Sequence, residues 1–147
     1  MEEKKRKKVL QQGAITADFI ARSIASHSNK KGIGAHMIFL GQVRADDHGE
    51  RVVKAIEYSA YEEMAEDAFY HIREDVFSRY KLTCMHMHHS LGHIAAGEIC
   101  LFVFVSSSHR TDASEACREI VERIKGEVPV WGREIFDDES YLWKENK

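Results

Sequence analysis

Glu98-Ile-Cys-Leu-Phe-Val-Phe-Val-Ser-Ser-Ser-His109-Arg110 is the stretch around which the chain is arranged. Leu101 to Val105 is continuously apolar and rich in β-branched and aromatic residues, which predicts a strand buried on both faces. Serines then lead to His109 and Arg110, and Thr111-Asp112 stand where they could cap the next helix. An imidazole and a guanidinium are thus delivered to a helix start, where free backbone N–H groups favour an anion. An ordinary strand-to-helix turn with a solvated arginine would have the same residues.

Downstream, Ala113, Ala116, Cys117, Ile120, Val121 and Ile124 form a helical stripe from Asp112 to about Gly126. Lys125 falls at the C-terminal end of that helix, where a lysine also complements the helix dipole. Pro129 cannot continue the helix, and Val128 before it is biased to extended structure. Trp131 to Phe136 reads as a strand, and Asp137 to Lys147 as a polar tail. Its aromatic residues, with Trp131 close by, suggest docking on a partner chain.

Upstream, Thr16 to Ser26 reads as a short helix with Thr16 as N-cap. Ala35 to Val43 reads as a strand whose Gly41 signals a bulge or a close approach. Val52 to Tyr58 is a further strand, so residues 35–58 could form a hairpin with a long tip. Tyr61 to Tyr80 is the clearest helix, and Leu82 to Leu91 a loosely alternating strand. Gly92 and Gly97 bracket the turn into the central strand.

The 147 residues suit one domain, and the formal charge of −3 gives no nucleic-acid signal. No apolar run approaches the ~20 residues that span a bilayer, and the charged start has no apolar core of a secretory signal. Residues 1–14 are expected to be a flexible basic tail, with Lys4 to Lys8 solvated, and residues 15–147 a single domain. Cys84, Cys100 and Cys117 are odd in number and lack C-x-x-C spacing, which points to reduced thiols in a cytoplasmic protein. His86 and His88 would share one strand face with Cys84, and His89 the other. Two imidazoles are too few for a closed zinc site, so neither metal nor cofactor is expected.

Four blocks, in order, carry a resemblance to a known family. They are Gly34-Ala-His-Met-Ile-Phe-Leu-Gly-Gln-Val-Arg44, Ile56-Glu-Tyr-Ser-Ala-Tyr61 with Met64-Ala65, Val105-Ser-Ser-Ser-His-Arg110, and Lys125 with Val128-Pro-Val-Trp-Gly-Arg-Glu134; His89-Ser-Leu-Gly92 also fits. Over about residues 15–145 the chain resembles the large, catalytic subunit of molybdopterin synthase, MoaE. The resemblance implies an α+β fold: a mixed, largely antiparallel sheet with covering helices and an α/β-hammerhead-like core. It also implies an enzyme that adds two sulfurs to cyclic pyranopterin monophosphate, making the dithiolene of molybdopterin. The sulfur would arrive on the thiocarboxylated Gly-Gly C-terminus of a small ubiquitin-like subunit, on a homodimer of large subunits with a small subunit at each end.

Lys125 and Arg44 are the catalytic residues the resemblance implies. Phe39, Gln42, Val43, Arg44, His109, Arg110, Lys125, Gly132, Arg133 and Glu134 are its substrate-binding positions. An anionic pterin phosphate and a carboxyl-derived sulfur anion call for fixed positive charge and amide donors more than for a protein nucleophile. Arginine suits the phosphate because its planar fork makes paired hydrogen bonds. Desolvated among cations, Lys125 would serve in proton transfer; charged, it would stabilise the oxyanion formed as sulfur leaves the acyl carbon.

Arg110 and Lys125 flank one helix, about 20 Å apart at ~1.5 Å per residue. The site is therefore expected to be completed across a two-fold interface, His109 and Arg110 from one protomer and Arg44 and Lys125 from the other. Many family members carry a lysine directly after the tryptophan that matches Trp131, and this chain has Gly132. Arg133 or Lys144 are the candidates to supply the absent charge. Two rivals remain: a non-catalytic module of the same fold binding a phosphorylated ligand or a ubiquitin-like tail, and a cysteine-dependent sulfurtransferase using Cys117 or Cys100.

Overall fold

The computed structural model describes residues 7–144. The elements in chain order are β1 (Leu10–Gln12), α1 (Ala17–Ala25), β2 (Ala35–Gln42), β3 (Asp47–His48), β4 (Arg51–Ala60), α2 (Glu62–Arg79), β5 (Cys84–Ala95), β6 (Ile99–Ser107), α3 (Arg110–Glu127), β7 (Val130–Phe136) and β8 (Tyr141–Trp143). The sheet runs β2-β6-β5-β4-β7-β8, with β1 added parallel to β5 and β3 turned back on β4. The pairings along that path are antiparallel, so the sheet is mixed, as expected.

β6 takes the place its composition demands. Leu101, Val103 and Val105 pack with Met85 and Met87 of β5 against α2 and α3, whereas Phe102 and Phe104 face α1 with Ile15 and Ile20. Both faces of the strand are covered, and a strand without a polar face is stable only there. A third cluster, of Val43, Val53, Ile56, Ile94, Cys100 and Phe136, fills the other half of the sheet.

β5 joins the two halves. Cys84 to His89 pairs with β6, and Tyr58 to Ala55 of β4 takes up Gly92 to Ala95. The strand changes partner at Gly92, whose φ of 87° lies where a side chain is strained. Gly92 therefore sits inside the strand rather than at its end, and Gly97 alone marks the turn into β6.

Several expectations are corrected. Residues 35–58 are not a hairpin: β2 pairs with β6 along its whole length, and β4 lies between β5 and β7. A buried β6 needs a hydrogen-bonding partner on each edge, and β2 fills one of them. The register of β2 shifts between Gly41 and Gln42, where the glycine signalled a bulge. The basic tail ends sooner than residue 14. Val9 and Leu10 are buried, their N–H groups donate to the Glu66 carboxylate, and His89 N–H donates to Val9 O. Residues 1–6, with Lys4 and Lys5, lie outside the described residues. The C-terminal stretch contains β8, paired with Arg133 to Ile135. α3 starts one residue after His109, so Thr111 and Asp112 lie in its first turn and His109 is the N-cap, without a side-chain capping bond.

Thr16 does cap α1, its hydroxyl accepting from Phe19 N–H at 3.1 Å. Among the described residues no helix is long and apolar enough to cross a membrane.

Candidate functional site

A cavity of about 670 Å³ opens where the C-terminal end of α3 meets β4, β7 and the end of β2. That volume lies within the range of small-molecule sites. The cleft between Val9, Arg73 and His86, by contrast, measures about 40 Å³, room for little more than water.

Local sequence explains each wall. The Val128-Pro129 step ends α3 and turns the chain into β7, which leaves Lys125 on the last turn of the helix at the rim. The bulge at Gly41 brings Gln42 to the opposite side. A Cβ on Gly41 would stand 3.1 Å from Leu101 Cβ, so the close approach foreseen from the sequence is by β6. Gly132 pairs with Tyr58, and a Cβ there would lie 2.9 Å from Ile56 Cγ2 and 3.3 Å from Tyr58 Cε1. A lysine at this position would need both side chains to yield.

The floor is neutral. Tyr58 Oη donates to Cys100 Sγ at 3.4 Å, and Cys100 donates on to Gly41 O. Burial, then the Cys100 sulfur and the Glu134 carboxylate, push the Tyr58 hydroxyl far above its usual range, so it stays a donor. His89 is buried, with Nδ1 2.8 Å from Ser90 O. A carbonyl only accepts, so Nδ1 carries the hydrogen and Nε2 is bare. Burial lowers the imidazole to about 4; the Ser90 carbonyl opposes the shift, and the positive charge of Lys125 adds to it.

Lys144 is the second cation at the rim. It stands just past β8, its N–H donating to Gly132 O at 2.8 Å, so the strand addition sets its backbone beside the glycine. Arg133 points away. It pairs with Glu57 at 2.8 Å and its guanidinium lies over the Tyr141 ring at 4.5 Å. Strand alternation makes it no substitute at residue 132.

Of the residues expected at the site, Gln42, Lys125, Gly132 and Lys144 line one cavity. The others do not. Val43 is core, with N–H and C=O bonded to Glu98 and Gly97. Phe39 packs partly buried against the main cluster. Glu134 is buried, 3.8 Å from His48 Nε2. Arg44 is exposed beside Asp46 at 3.4 Å.

His109 and Arg110 are exposed at the start of α3; Arg110 is fifteen residues from Lys125 and hence about 22 Å away at ~1.5 Å per residue. Gly34 is packed against their turn: a Cβ there would lie 2.2 Å from Ser108 O. Tyr58, His89 and Cys100 were missed as site residues. Tyr58 and His89 stood inside blocks of the resemblance, but only strand pairing brings them under Lys125.

All three cysteines are free and buried, and burial raises the Cys117 thiol further from thiolate. Neither feature suits a nucleophile.

A model of the family described as "MoaE protein" matches residues 11–127. The molybdopterin synthase catalytic subunit of Oryza sativa subsp. indica is 37% identical over 139 residues, covering 95% of this chain and 70% of the relative. The crystal structure of molybdopterin synthase from Staphylococcus aureus superposes with a TM-score of 0.82 at 28% identity, over 97% of this chain and 99% of that one. A protein–protein complex of subunits 1 and 2 of molybdopterin-converting factor from Helicobacter pylori contains a chain of the same fold. Its TM-score is 0.80 at 19% identity, over 95% and 90% of the two chains.

Proposed function

The chain belongs to the MoaE family, and from that we propose that it is the catalytic subunit of a molybdopterin synthase, acting in molybdenum cofactor biosynthesis. It transfers sulfur from the thiocarboxylated Gly-Gly end of a small ubiquitin-like carrier to cyclic pyranopterin monophosphate. The observation that carries this reading is the cavity itself. Two lysines, Lys125 and Lys144, stand at the rim of a pocket roomy enough for a pterin, and the carboxylate that also lines it, Glu127, is paired with Arg123 at 2.7 Å.

The chemistry follows from those groups. The thiocarboxylate sulfur bonds to a carbon of the precursor as a C–O bond at that carbon breaks and the oxygen takes up a proton and leaves; water then attacks the acyl carbon. As the acyl–sulfur bond breaks, sulfur stays on the pterin and the carrier leaves as a carboxylate. The intermediate carries an oxyanion on the acyl carbon, and the substrate brings a phosphate. Fixed ammonium groups stabilise both, and a low-polarity floor strengthens that attraction. Lys125 serves the oxyanion and Lys144 the phosphate, Lys144 standing in for the lysine that Gly132 lacks. The Tyr58 oxygen, its hydrogen given to Cys100, and the bare Nε2 of neutral His89 add acceptors without altering the charge.

Two copies of the chain complete the site, His109 and Arg110 of one protomer joining Arg44 and Lys125 of its partner. Support comes from the length of α3, which keeps the two groups apart within one chain. The exposed Trp131, Tyr141 and Trp143, which alternation and register put on one sheet face, suit docking by the carrier or the second copy.

Mixing purified protein with thiocarboxylated carrier and pyranopterin precursor tests the reading; molybdopterin should form. Tight binding of both without product would instead favour the non-catalytic module. A sedimentation mass of a single chain at working concentration would refute the shared site.

A further inference from the structure

A second constellation lies on the α1 side of the sheet and shares no residue with the pocket. Cys84 and His86 project from the same face of β5, and His27 reaches them from the turn after α1. One ligating atom from each of the three lies within 4.8 Å of the others. His27 Nε2 is 3.0 Å from His86 Nε2. His27 and Cys84 are buried, and Phe104 stacks on the His27 ring at 4.8 Å, fixing its plane.

The hydrogen bonds around this trio suit a metal. His27 Nδ1 is 2.7 Å from Ser23 O, a pure acceptor, so Nδ1 carries the hydrogen and the bare Nε2 faces His86. A backbone carbonyl holding the far nitrogen is the usual way a ligating histidine is oriented. Lys30 Nζ donates to Cys84 Sγ at 2.9 Å, which fixes the direction in which the sulfur points. A tetrahedral zinc with bonds of about 2.0–2.3 Å separates its ligand atoms by about 3.3–3.6 Å; here the two Nε2 atoms stand 3.0 Å apart and the whole set lies within 4.8 Å, so small side-chain shifts bring all three to one ion. One thiolate and two imidazoles select zinc, or cobalt in its place, over magnesium or calcium.

We infer that His27, Cys84 and His86 bind one zinc-class divalent ion, with a fourth position open to water. Binding releases one proton, that of the Cys84 thiol, and shifts the single hydrogen of neutral His86 from Nε2, where it is shared with His27, to Nδ1. The ion pins the end of α1 to β5. From sequence, His86 and His88 on one face with Cys84 offered too few imidazoles for a closed zinc site; the structure brings in His27, 59 residues before His86, in place of His88.

The test uses tag-free, chelator-stripped protein titrated with cobalt(II), then zinc. One equivalent should bind with a thiolate-to-cobalt charge-transfer band in the near ultraviolet, and zinc should displace it and raise the melting temperature. Cys84→Ser should abolish the band, and His86→Gln should weaken binding at least tenfold, while Cys117→Ser, under the opposite face, changes neither. Should Cys84→Ser fold poorly by circular dichroism, the half-buried His86→Gln reads the same site. Absence of stoichiometric uptake, or equal uptake by wild type and His86→Gln, overturns the assignment and leaves a hydrogen-bonded histidine pair. Sulfur transfer is a separate readout, so failure here leaves the activity assignment standing.

Discussion

Replacing Lys144 with alanine is expected to lower kcat/KM for sulfur transfer about tenfold. The side chain is exposed, but its backbone is fixed by the 2.8 Å bond to Gly132 O, next to the position where the family's lysine is absent. A hydrogen bond to a charged group contributes about 1.5–3 kcal/mol, and exposure puts Lys144 at the lower end. About 1.4 kcal/mol is a factor of ten. The fold should not suffer, because β8 pairs through Arg133 to Ile135 with its backbone; the melting point should move by no more than about 0.5 kcal/mol implies. The assay is steady-state transfer from thiocarboxylated carrier to pyranopterin precursor, at two salt concentrations and with Lys144→Arg beside it. Arginine should keep most of the activity, since charge rather than shape is required. A rise in KM at constant kcat would place the lysine on the phosphate in ground and transition states alike. Wild-type kcat/KM in Lys144→Ala, alongside a damaged Lys125→Ala, would refute the reasoning and leave Gly132 uncompensated.

Lys125→Ala should cut turnover by roughly 10²-fold or more, the usual cost of losing an oxyanion donor, whereas Cys117→Ser and Cys100→Ser should stay near wild type; the reverse ranking, read by the same assay, would favour a cysteine-dependent transfer. His89 carries a pH signature: its folded value of about 4 lies below the unfolded 6.5, so unfolding takes up a proton, and stability falls as pH drops from about 6.5 toward 4. The loss approaches roughly 3 kcal/mol at the acid end. Urea melts of His89→Gln should show a flatter slope by about 1.4 kcal/mol per pH unit in that window, and parallel curves would contradict the buried neutral imidazole. Gly34→Ala would press a Cβ to 2.2 Å from Ser108 O; it should destabilise the fold by about 1–3 kcal/mol and weaken substrate binding through the displaced His109 turn, as thermal melting and KM would report.

What the sequence determined by itself was whatever depends on neighbours in the chain. Leu101 to Val105 had to be buried on both faces because it offers no polar one, the stripes of α2 and α3 named their core sides, and Thr16 named its own cap. Gly41 announced a bulge, and the four blocks around Arg44, Tyr58, His109 and Lys125 announced the family. Tertiary structure alone decided which strand edges meet. β2 joined β6 instead of β4, since hydrogen-bonding edges are equivalent in sequence and only burial of the whole sheet ranks them. The pairing of β4 with β5 and of β5 with β6 set Tyr58, His89 and Cys100 beneath Lys125, and the addition of β8 carried Lys144 to Gly132. The packing of α1 on the other face of the sheet closed His27 on Cys84 and His86. Short-range periodicity determines which way a side chain faces; what it faces depends on contacts dozens of residues apart, whose energies appear only once the layers are packed.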